Sequence, residues 1–88
     1  MKQNFPNPFN PTTCITFALR EPAHVALRIY DVSGRLVRVL VDEEREARVY
    51  EEVWDGVDGS GRAAASGIYF YRIEAGAFVD TKKMVLLR

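Results

Sequence analysis

Eighty-eight residues make one domain, and a chain of this size buries roughly 60–65% of the surface its unfolded form exposes, enough for a modest core but not for a cleft between two domains. Twelve Lys and Arg balance twelve Asp and Glu, so the chain carries no basic field for nucleic acid. One Cys and one His supply neither a disulfide nor a structural zinc site, and no apolar run approaches the ~18 residues of a membrane span.

Residues 1–12 read as a stiff, extended lead-in. The stretch NFPNPFNPT holds three of the four Pro, each of which biases the residue before it toward extended backbone. Such a segment serves as a linker from something upstream, with Phe5 and Phe9 as anchors to the domain. Met1, Lys2 and Gln3 run straight into it without an apolar signal core, so the chain is expected to be either intracellular or a piece of a longer exported protein.

The sandwich is expected over 13–88. Ile15, Phe17 and Leu19 alternate with Cys14, Thr16 and Ala18, which is the period of a half-buried strand. Arg20 to Ala23 breaks it, and Val25, Leu27 and Ile29 give a second strand its core face. Asp31, Val32, Ser33 and Gly34 suit a type I turn, with Asp first and Gly fourth. Residues 35–41 are apolar on both parities and suit a buried strand or a short helix; their Val content and turn-bounded length favour the strand, in which a bulge would let Val37 and Leu40 both face inward.

Residues 42–47, DEEREA, are expected to be a charged, solvated connection. Residues 48–55 form the next strand, with Tyr50 and Trp54 on its core face and Glu52 unexplained beside them. Asp55-Gly56 and Asp58-Gly59-Ser60-Gly61 make a tight polar loop. Ile68 to Ile73, rich in aromatic and β-branched residues, reads as a central strand. Residues 74–77 make a hairpin turn around Gly76, and residues 78–87 close the fold. No internal repeat or low-complexity segment is evident. Six or seven short strands with turns at this spacing predict an all-β, antiparallel sandwich.

Little of this carries chemistry. His24 stands alone, the Ser residues lie in turns and Cys14 lies within a strand, so a nucleophile, base and orienting group would have to converge from afar; no enzyme is expected. Asp55, Asp58 and Ser60 are oxygen ligands, but without the spacing of a calcium loop they read as turn caps, and neither metal nor cofactor is expected. Tyr50, Trp54, Tyr69 and Tyr71 would suit a sugar platform, although aromatics at strand spacing more often fill a core.

Four stretches in order, NFPNPFNPTT, IYDVSGRLVRVLV, WDGVDGSGRAAASGIYFYRIEAG and TKKMVLLR, resemble the C-terminal sorting domain of type IX secretion cargo proteins of Gram-negative bacteria. The middle two also resemble the immunoglobulin-like domain of flagellar hook-capping proteins; the NPFNP opening and KKMVLLR ending discriminate.

The resemblance implies an immunoglobulin-like sandwich that addresses an upstream cargo in the same chain, through the periplasm, to the cell surface or beyond. Its partners would be type IX translocon and shuttle proteins at the outer membrane. It assigns the family motif to Pro6, Asn7, Pro8, Trp54, Asp55, Gly56, Gly67, Tyr69 and Gly76. The sorting signal it assigns to Lys82, Lys83, Met84, Val85, Leu86, Leu87 and Arg88, where an apolar strand offers backbone pairing and the Lys residues offer charge. This chain departs from the pattern at Cys14, Arg48 and Glu52. Two alternatives remain: a structural immunoglobulin-like module of a surface or hook-cap assembly, and a carbohydrate-binding accessory module.

Overall fold

The computed structural model describes all 88 residues. Six strands form: β1 (Thr13–Ala18), β2 (Ala23–Asp31), β3 (Leu36–Arg45), β4 (Val49–Trp54), β5 (Gly67–Ala75) and β6 (Phe78–Leu86). They build two antiparallel sheets, β1-β4 and β3-β2-β5-β6, which is the expected immunoglobulin-like sandwich. Strand alternation supplies the core directly. Ile15 and Phe17 from β1, Val25, Leu27 and Ile29 from β2, and Tyr69, Tyr71 and Ile73 from β5 are all buried, with Trp54 closing the end of β4.

β3 follows the bulge expectation and then corrects what comes after it. Its pairing with β2 slips twice, leaving Leu40 and Val37 without register partners, and both residues pack against the core. The acidic stretch expected as a loop is strand as far as Arg45, because the first half of β2 gives it partners: Asp42 lies opposite Ala26, Glu43 opposite Val25 and Glu44 opposite His24. Strand continuation also accounts for Glu52. Arg45 binds it at 3.1 Å and lays its guanidinium 4.7 Å from the Tyr50 ring centre, so the carboxylate is paired at the side of the sandwich.

Residues 1–12 are built into the sandwich and join its two sheets. The Lys2 amide donates to the Thr16 carbonyl, and Phe5 bridges Cys14 of β1; four residues on, Phe9 bridges Leu86 of β6 in parallel. Asn4 and Phe9 are both 2% exposed, whereas the Phe5 ring points away at 79%. Asn4 is satisfied inside: its amide donates to the Tyr71 hydroxyl at 2.7 Å and its Nδ2 to Thr13 Oγ1 at 3.0 Å.

One five-residue pattern occurs twice. Asp31-Val32-Ser33-Gly34-Arg35 joins β2 to β3, and Asp58-Gly59-Ser60-Gly61-Arg62 lies in the loop from β4 to β5. In each, one Asp Oδ1 accepts from the Ser amide, the Ser hydroxyl and the Arg amide, and the Gly takes positive φ, +84° and +89°. The recurrence is too short to register as an internal repeat along the sequence, yet it fixes both turns.

Candidate functional site

The terminal segment is where the sequence concentrates its functional expectations, and strand geometry divides it. Met84 and Leu86 point inward and are fully buried, Lys82 shares their parity and is half-buried, while Lys83, Val85 and Leu87 turn to the outer face of the four-stranded sheet. The seven residues therefore do not form one exposed signal. Two of them, Met84 and Leu86, are core.

Backbone pairing to a receptor is also taken up along this stretch. β6 is an edge strand, but the lead-in has reached its outer edge first: the Phe9 amide donates to the Val85 carbonyl at 3.0 Å, the Leu87 amide to the Phe9 carbonyl at 2.9 Å, and the Val85 amide to Asn7 Oδ1 at 3.0 Å. Gln3 Nε2 donates to the Lys83 carbonyl at 2.7 Å. The sequence gives no sign of this, because a parallel contact between residues 77 positions apart, Phe9 and Leu86, leaves no local period.

Arg88 closes the end of the segment. Its amide donates to Ser66 Oγ at 2.9 Å, its Nε to the Ala64 carbonyl and its terminal nitrogen to the Gly56 carbonyl, so the side chain fastens the loop from β4 to β5. Gly56 has φ +76°, and a Cβ there would lie 2.9 Å from both Arg88 and the Pro11 carbonyl. This motif glycine is required on two counts. Beside it, Trp54 Nε1 donates to the Val57 carbonyl at 2.9 Å and Asp55 Oδ1 accepts from the Val57 amide at 3.0 Å.

Most of the remaining motif residues make contacts within the fold. Pro6 offers its carbonyl to Thr13 Oγ1 at 2.8 Å, Pro8 is exposed between Asn7 and Phe9, Gly67 begins β5 and Gly76 turns the β5-β6 hairpin at φ +61°. The Tyr69 hydroxyl donates to the Ala65 carbonyl at 2.6 Å. Trp54 lies between Phe9, at 5.8 Å between ring centres, and Tyr69, at 5.3 Å edge-on. Trp54, Tyr69 and Tyr71 are buried, so the aromatic platform for sugar does not exist.

The ionisable groups are poised for structure rather than turnover. Burial, followed by the neighbouring Glu51 carboxylate, pushes the Cys14 thiol up, the opposite of what a nucleophile needs. Burial raises the Tyr69 and Tyr71 phenols. Asp31 and Asp58 are held below the ordinary carboxylate range, chiefly by the hydroxyls of Ser33 and Ser60 in their own turns. His24 sits on the four-stranded sheet, 2.6 Å from Asp42, and Cys14 on the other sheet. No group of three or more His, Cys, Asp or Glu side chains is placed to hold a metal ion.

The sequence pattern of the FlgD Ig-like domain matches residues 6–77. No curated protein matches the chain. Among solved structures the fold is similar to dimeric latent PorU from Porphyromonas gingivalis, with TM-score 0.76 and 23% identity over 97% of this chain and 9% of that one. It is similar to PorZ of the same organism, an essential bacterial surface component of the type-IX secretion system, with TM-score 0.66 and 24% identity over 98% of this chain and 11% of that one. FLGD from Pseudomonas aeruginosa gives TM-score 0.66 and 23% identity over 84% of this chain and 58% of that one. The chain thus spans about a tenth of the first two.

Proposed function

Because this chain belongs to the FlgD Ig-like domain family, a family of non-catalytic modules, we propose that it works as an address. It directs an upstream cargo in the same polypeptide through the type IX system, across the periplasm of a Gram-negative bacterium, to the cell surface or the medium. Translocon and shuttle proteins at the outer membrane are its partners. One observation carries this reading. The NPFNP opening, which falls inside the family match, and the KKMVLLR ending, which lies beyond it, meet in space through Asn7, Phe9, Val85 and Leu87. Residues 78–88 lie beyond the family match yet complete the core through Met84 and Leu86. A type-IX surface component among proteins of the same fold lends further support.

The test is export of a reporter that carries a signal peptide and ends in residues 3–88. We expect delivery to the surface or medium in a type IX-competent host and retention in the periplasm when the system is deleted. Equal delivery in both hosts, or retention in both, overturns the reading. Truncation at Thr81 is a poor control, since it removes two fully buried side chains with the signal. A second reading, a structural module of a surface or hook-cap assembly, draws on the family match and the P. aeruginosa fold; it predicts retention in both hosts.

A further inference from the structure

The outer face of the four-stranded sheet brings together residues that no motif connects. Cross-strand register stacks them in rows: Ile68 beside Val85, then Tyr30, Phe70 and Lys83, then Arg28, Arg72 and Thr81. Ile68 is 41% exposed and Leu87, just past the end of β6, 51%, while Tyr30, Phe70 and Val85 are half-buried. An open cleft of about 350 Å³ lies here, lined by Tyr30, Phe70, Arg72 and Thr81 and by Asp31, Val32 and Gly34 of the adjoining turn.

Around Phe70 the charges on this face are mostly basic. Arg28 lies directly opposite Arg72 across the β2-β5 pair, an arrangement of like charges that destabilises a sheet. Both guanidiniums reach for a single oxygen, Glu74 Oε1, at 3.4 and 3.5 Å, and Lys83 has no ion-pair partner. Nearby acids are committed elsewhere. Asp31 Oδ1 is held by its own turn, and Asp42 and Glu44 sit at the far end against His24.

We propose that this face is the docking surface for an acidic protein segment of the export apparatus, one that sets an apolar side chain against Ile68, Phe70 and Val85 and carboxylates against Arg28, Arg72 and Lys83. This presupposes that the chain is an export address, and it divides the terminal Lys pair. Lys83 touches the partner and Lys82, on the opposite parity, does not. The opposed Arg residues, which share one Glu74 oxygen in the isolated fold, gain carboxylates of their own.

The test uses the complete chain fused to the exported reporter, with a photo-crosslinking phenylalanine analogue at Phe70 or, as a control on the other sheet, at Val49, which is 62% exposed. We expect a protein adduct from Phe70 and none from Val49. Lys83→Glu with Arg72→Glu should abolish the adduct and lower export at least about tenfold, the loss that roughly 1.4 kcal/mol of binding free energy brings, with melting curves unchanged. Lys82→Glu should export normally. Normal export of the double variant, an adduct that survives it, an adduct from Val49 alone, or attachment of Phe70 to anionic phospholipid instead of protein each overturns the docking surface. If the unaltered fusion is never exported, the address itself fails, and the docking face is then decided by the charge dependence of the Phe70 adduct alone.

Discussion

β6 has two halves of opposite character. Phe78 and Val79 are 49% and 50% exposed and their half of the strand has no backbone partner on its outer side, whereas Met84 and Leu86 are 0% exposed and their half is bonded to the lead-in. Both halves pair with β5 in one unbroken register. Their difference does not come from hydrophobicity, since Phe78 and Val79 are as apolar as anything at the end of the chain. It comes from cover. Phe9 brings ring and backbone to one half, whereas only the Met1 ammonium, 3.5 Å from Asp80, reaches the other, and Val79 lies on the outer-face parity. A contact 77 residues away in sequence, together with strand alternation, decides which part of the strand is core.

The most damaging way to break that contrast is to remove what lies beneath the covered half. Trp54→Ala deletes the indole between Phe9 and Tyr69 and should destabilise the domain by about 3–5 kcal/mol in denaturant titration. A loss under about 1 kcal/mol would mean the indole is not packed there. The contrast within the strand is sharpened by a pair of variants. Met84→Ala should cost about 2–5 kcal/mol, and Val79→Ala should stay within about 0.5 kcal/mol. Similar losses from the two would show that both halves are covered.

What was legible in the sequence follows the same division. Strands β1, β2 and β5 announce themselves because alternation and burial agree residue by residue, as in Ile15, Phe17 and Leu19. Trp54 was likewise readable from pattern, whereas the register of β3 was not fixed by it, since Val37 and Leu40 turn inward only through the two slips against β2. The end of β3 was not, because a run of acids suggests solvent, while the actual reason for its order is the β2 partner alongside and the reach of Arg45 to Glu52. The lead-in was readable as extended but not as the cover of β6, since parallel pairing at such distance follows from closure of the whole sandwich. The outer-face cluster was hidden for the same reason: Tyr30, Phe70 and Lys83 become neighbours only through register.

Gly56 joins the lead-in and the chain end at one point, and its replacement is the next smaller test. Gly56→Ala needs positive φ from a residue with a Cβ and pushes that carbon against the Pro11 carbonyl, so we expect a loss of roughly 1–3 kcal/mol. Gly34→Ala makes a useful control. It carries the same backbone demand, at φ +84°, with nothing within 4 Å of the added carbon, and so should cost less. Equal losses would mean that backbone strain alone matters and that Arg88 and Pro11 do not press on this site.

The smallest effect separates the twin turns. Asp31 and Asp58 have pKa values lowered from the ordinary 3.8 by the same set of donors, chiefly Ser33 and Ser60. Between its folded and unfolded pKa, each carboxyl binds fewer protons in the folded chain than in the unfolded one, so stability rises with pH across that window. The contribution is complete above the unfolded value and is lost as pH falls through the folded one. Asn keeps an oxygen acceptor but cannot titrate, so Asp31→Asn and Asp58→Asn should each flatten the acid limb of the melting-temperature curve and leave its neutral plateau nearly unchanged. Because the bonding is the same in both turns, the two flattenings should match, although one turn is a simple hairpin and the other is tied to β3 by the Gly59 amide on the Val37 carbonyl. A larger effect at Asp58 would show that this tether, and not the turn alone, depends on the charge, and that the loop fastened by Arg88 loosens in acid before the rest of the sandwich.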